Sequence, residues 1–133
     1  MSFLWVRIVM IASGIYDGLI GLAFLFAPLA VFRLAAVTPP NHLGYVQFPA
    51  LVLLIFGAMF LRIAADPVAR REQILYGMAL KASYFGVVFW YQLHSGIPAL
   101  WVPFAWADVA FFILFFAGWR ATAQRNVAVH SAN

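Results

Sequence analysis

The chain has 133 residues, 66% of them hydrophobic and 9% charged, with a mean hydropathy of +0.96. A soluble domain of this length has no interior large enough for that much apolar surface, so lipid is part of its solvent and one membrane domain is the natural reading. The net charge of +4 would suggest nucleic acid in a soluble protein. Here the arginines stand at segment ends, where they report topology and leave no nucleic-acid face.

The first apolar run, from about Phe3 to Phe26, reads as a retained helix ended by Pro28. Arg7 is its single early basic residue, and no small-x-small site closes a short core as in a cleaved signal. Gly14 and Gly18 form a small-xxx-small pair, for which close packing against another helix is the plain reading. Asp17 differs, because a carboxylate in the middle of a spanning segment is rarely there for packing alone.

The connection from Ala27 to Gly44 holds Phe32-Arg33-Leu34, a short amphipathic piece suited to the interface. The run Thr38-Pro39-Pro40-Asn41-His42 then forces extended geometry. A second helix is expected over about 45–63, with Gln47 and Pro49 near its start and no charge from Leu51 through Leu61. A third is expected over about 75–94 and a fourth over about 99–119. Residues 1–120 would thus form one all-α, four-transmembrane-helix bundle, with residues 121–133 as a polar tail that frays. Trp5, Trp90, Trp101 and Trp119 near segment ends fit the aromatic belts of a bilayer.

With four spans, the N-terminus, the loop between the second and third spans, and the C-terminus share one side. That side carries Arg7, Arg62, Arg70, Arg71, Arg120 and Arg125, against Arg33 alone on the other. The positive-inside bias places both termini in the cytoplasm of a bacterial inner membrane.

Three charges lie inside apolar runs: Asp17, Lys81 and Asp108. At helical spacing Gly77, Lys81, Tyr84, Val88, Tyr91 and Ser95 share one stripe of the third span. Asp17 is nine residues before Phe26 and Asp108 nine after Ala99, so each lies about 14 Å deep. Lys81, thirteen residues before His94, lies about 20 Å deep, one turn that its long side chain can climb. The three are therefore expected to converge. Fully ionised they sum to −1, which calls for a proton on one aspartate, a bound cation or ligand, or further donors such as Tyr16, Tyr84 and Tyr91. An ion pair that merely holds the bundle in register is the structural alternative.

Asn41, His42, Gln47 and His94 are the polar residues of the opposite, outer face. Two histidines with an asparagine and a glutamine make a weak metal set, and no metal is assigned. The absence of cysteine removes disulfides, thiolate ligands and cysteine catalysis. There is no glycine-rich phosphate loop, HExxH, nucleophile elbow or deep histidine pair for haem, so no cofactor is indicated.

Tyr16-Asp17-Gly18, Phe24-Leu25-Phe26-Ala27-Pro28, Pro39-Pro40-Asn41-His42 and Asp108 in the last span together resemble small uncharacterised bacterial four-helix membrane proteins. In size and layout these are similar to the DoxX-like group. The resemblance implies a four-helix fold in a bacterial inner membrane and brings no catalytic set.

Three functions are compatible with these residues. One is an intramembrane site for a proton, an ion or a small apolar or amphipathic ligand, on Asp17, Lys81 and Asp108 with Tyr16, Tyr84 and Tyr91. A second is an accessory subunit whose charges serve packing within a homo-oligomer or larger membrane complex. The third, a lipid-acting enzyme using an aspartate as acid or base, ranks last for want of further catalytic groups. Membrane lipids are partners in every case.

Overall fold

The computed structural model describes residues 3–131, with the side chains of residues 124–130 outside that description. Five helices follow one another: α1 (Leu4–Phe26), α2 (Pro28–Leu34), α3 (Gly44–Ala65), α4 (Arg71–His94) and α5 (Trp101–Ser131). There is no strand among the described residues. Three helices are long and apolar enough to cross a membrane: α1, α3 and residues Trp101–Ala123 of α5. At 24 residues α4 is about 36 Å long, but Arg71, Glu72, Gln73 and Lys81 make it more polar than the other three.

The long helices form two antiparallel pairs. In the first, Gly14 of α1 faces Gly57 of α3 while Gly21 faces Ala50, so the two chains run in opposite directions. A Cβ on Gly14 would lie 3.0 Å from the Gly57 carbonyl oxygen, and one on Gly21 only 2.8 Å from that of Ala50. The close approach therefore uses Gly14 and Gly21, and a Cβ on Gly18 would meet nothing within 4 Å. In the second pair, Phe85 packs on Phe112 and Phe89 on Trp106, again with opposed numbering.

The two pairs join most firmly at the end that carries the chain termini. Val6, Met10, Phe60, Ile63, Ile74 and Phe115, drawn from all four long helices, form one buried cluster there. The Phe60 and Phe115 rings meet edge to face at 5.1 Å, over Gly77, where a Cβ would come within 2.6 Å of Phe60. Arginines stitch the same end. Arg7 donates to the Ala65 carbonyl at 3.0 Å, and Arg71 donates to that of Trp119 at 2.9 Å while its guanidinium stacks on the indole.

A second cluster of Phe24, Phe32 and Ala50 closes the opposite end of the first pair. The expected amphipathic piece is α2, with Phe32 buried and Arg33 and Leu34 exposed. Its end is a Schellman turn: the Val37 N–H donates to the Phe32 carbonyl and that of Ala36 to Arg33. Ala36 occupies the left-handed position at φ 54°, where glycine is usual, at a cost of about 1–2 kcal/mol.

Two boundaries differ from expectation. Helix α4 begins at Arg71 and not near Leu75, because the Asp66 carboxylate accepts the Ala69 N–H at 3.1 Å and tightens the turn before it. Helix α5 continues through the expected polar tail to Ser131. That segment holds no proline or glycine and is rich in alanine, so nothing in it stops a helix. Residues 132 and 133, and the side chain of Arg125, lie outside the described residues.

The burial pattern is inverted relative to a protein in water. Leu4, Ile8, Ile11, Ile15, Leu19 and Leu22 make a continuous exposed apolar stripe on α1, while Ser13, Asp17, Lys81, Asp108 and Thr122 are buried. Such a surface is stable only against lipid or other apolar chains.

Candidate functional site

Each of the three charges sits on a different long helix, and the two pairs bring all three together. The Lys81 ammonium donates to Asp17 Oδ1 at 2.7 Å and lies 3.0 Å from Asp108 Oδ1. The side chains of Lys81, Asp17 and Asp108 are 1%, 2% and 10% exposed, so the cation is sealed while one carboxylate keeps an opening. Lys81 is also enclosed by the rings of Tyr16, Phe60 and Phe111, at 5.2–5.7 Å from their centroids. Gly77, one turn earlier, admits Phe60 to that enclosure.

Satisfaction is incomplete around the trio. Asp17 Oδ2, the Tyr16 hydroxyl and Ser13 Oγ are buried without a hydrogen-bond partner. Ser13 precedes Asp17 by four residues, so the helical repeat places both on one face of α1.

A cavity of about 690 Å³ reaches the carboxylates from the end away from the termini. Asp17, Asp108, Tyr16 and Tyr84 provide its polar floor, and the rest of the wall is overwhelmingly carbon. Phe24 stacks on Trp101 at 5.7 Å, and Phe32 meets both rings edge-on at 5.9 and 6.0 Å. Val37, Thr38, Pro40 and Pro98 surround the mouth, where exposed Tyr45 and Phe48 stand on α3. The volume is in the range of sites for drug-sized molecules. Of the lining residues only Leu80 packs on the cluster at the terminal end, and none of that cluster's buried residues lines the cavity, so it is blind on that side.

The remaining candidates separate. Tyr84 joins the floor and donates to the Trp101 carbonyl at 3.0 Å. Tyr91 does not reach the site and is 51% exposed. The inward stripe of α4 holds through Val88 and leaves the bundle at Trp90–His94, all exposed, because α2 and the start of α3 cover α1 instead. Trp101 turns inward as a cavity wall, so it is no belt residue, whereas Trp5 and Trp90 face outward.

Three of the four polar residues at the end away from the termini make a contact. Gln47 donates to the Leu25 carbonyl at 3.4 Å, and His42 Nδ1 accepts the Gly44 N–H at 3.0 Å at the start of α3. His94 donates to the Trp90 carbonyl and stacks on that indole. Asn41 is exposed. Among the described residues no three His, Cys, Asp or Glu side chains gather as a metal set. The chain resembles no known family closely enough to be placed by comparison: it matches no family model, no curated protein and no solved structure.

Proposed function

We propose that the protein is a four-span membrane protein of the bacterial inner membrane that binds a small amphipathic molecule within the bilayer. The observation that carries this reading is the apolar cavity of about 690 Å³ ending on Asp17 and Asp108. A buried ion pair kept only for packing needs no such chamber. The blind terminal end supports binding over passage through the bundle.

Two observations support α4 as the fourth span. Its costly residue, Lys81, is interior, and its exposed surface includes Leu75, Tyr76, Val87 and Trp90. It also pairs along α5, which is itself apolar enough to span. Arg7, Arg71, the end of α3 and Trp119 of α5 meet at one end of the bundle, in keeping with cytoplasmic termini and with the DoxX-like layout. The chain has no cysteine, so single introduced thiols report sidedness without background. Asn41→Cys and Ser95→Cys should react with an impermeant maleimide on intact cells, and Glu72→Cys only after permeabilisation. The opposite pattern would invert the topology.

The binding reading is tested with photoactivatable alkyl diazirines bearing amine, alcohol or carboxylate heads. At least one should label the Tyr16–Phe24 and Trp101–Asp108 segments saturably, and Leu53→Trp, which fills the cavity from α3, should remove that labelling. Labelling by all three that stays non-saturable and spread over the exposed apolar faces would sink the reading.

A further inference from the structure

The floor of the cavity is specific in what it lacks. Lys81 is the only positive charge at the trio, and it donates to Asp17 and is ion-paired with Asp108 at 3.0 Å. Asp17 Oδ2 is buried with no donor at all, on a side chain 2% exposed that lines the cavity. Tyr84 already spends its proton on the Trp101 carbonyl, which leaves its oxygen as an acceptor. The Tyr16 hydroxyl is the one unspent donor among the polar floor groups. Acceptors and negative charge are therefore in excess, and the ionised trio sums to −1.

Resting on the amphiphile-binding reading above, we infer that the ligand is an organic ammonium with an apolar body, its charged head held between Asp17 and Asp108 and its body among Phe24, Phe32 and Trp101. The ammonium would bring the missing charge and the donors that Asp17 Oδ2 lacks. The Tyr16, Tyr84 and Phe104 rings that line the same inner end add faces on which a cation is stabilised. An anionic head would meet two carboxylates and a lysine already committed to them. A bare inorganic cation is a poor match, since hard divalent ions take six or more oxygens and this floor offers two carboxylates and two phenols in a carbon wall.

The test is isothermal titration of purified protein in maltoside micelles with three probes of one shape: phenylbutylammonium, phenylbutanol and phenylbutyrate. The ammonium should bind about tenfold or more tightly than the alcohol, the weight of a desolvated cation–aromatic contact, and the carboxylate should not bind measurably. Asp108→Asn should erase the preference for the ammonium over the alcohol, and Leu53→Trp should abolish binding of both. The three probes on the unaltered protein decide the head group even where Asp108→Asn fails to fold. Equal or tighter binding of the alcohol or carboxylate, still lost on Leu53→Trp, overturns the ammonium assignment and leaves the cavity reading standing. No saturable binding by any probe overturns both.

Discussion

Replacing Lys81 by methionine should destabilise the protein by about 3–5 kcal/mol, the usual cost of stranding buried partners of a broken ion pair. The loss follows from geometry: Asp17 and Asp108 approach the same ammonium at 2.7 and 3.0 Å, and without it two carboxylates face each other in an apolar interior. Removing an aspartate with the lysine leaves less uncompensated charge. Lys81→Met with Asp17→Asn should therefore lose less than the sum of the single changes, with a coupling of about 0.5–3 kcal/mol. The coupling to Asp17 should exceed that to Asp108, because the Asp17 side chain is 2% exposed and that of Asp108 10%. Unfolding of the three single and two double variants in mixed detergent micelles measures both cycles. Strict additivity in both would mean that the three groups do not interact.

Gly21→Val should force α1 and α3 apart and lower stability by about 1–3 kcal/mol, the range for overpacking a filled interface. A Cβ at Gly21 lies 2.8 Å from the Ala50 carbonyl oxygen, and backbone cannot rotate away as a side chain can. Gly14→Val should behave alike, since its Cβ would sit 3.0 Å from the Gly57 carbonyl oxygen. Gly18→Ala is the internal control: its Cβ meets nothing within 4 Å, and the helix gains up to about 1 kcal/mol of propensity. Thermal melting in micelles should rank Gly18→Ala at or above the unaltered protein, with both valine variants below it. A Gly18→Ala loss equal to that of Gly21→Val would place the helix crossing elsewhere.

Both results bear on the candidate site, because the α1–α3 pair carries Asp17 and the α4–α5 pair carries Lys81 and Asp108. The cavity lies between these pairs toward the end away from the termini. A change that loosens either pair moves the two aspartates relative to each other without touching a charge. The glycine variants should accordingly weaken ammonium binding along with stability, whereas Leu53→Trp acts on the cavity with the trio intact.

The apolar composition by itself pointed to long apolar helices, because no fold of 133 residues has interior enough for so much carbon, and three helices of the structure are long and apolar enough to cross a membrane. The lengths of the apolar runs placed α1, α3, α4 and the start of α5 to within a few residues but not the end of α5 at Ser131, and the high cost of charge in hydrocarbon singled out Asp17, Lys81 and Asp108. Helical rise alone put the three at compatible depths. What it left open was azimuth: Tyr84 and Tyr91 share a stripe, yet only Tyr84 faces the floor, since a stripe is buried only where a neighbouring helix covers it. The tertiary structure also decided which glycines make the close approach, Gly14 and Gly21 over Gly18, because backbone contact depends on the crossing point of two helices. It alone created the cavity. That space belongs to no segment; it lies between the two helix pairs, beyond the cluster around Phe60 and Phe115 and beside the ring contacts of Phe32 with Phe24 and Trp101.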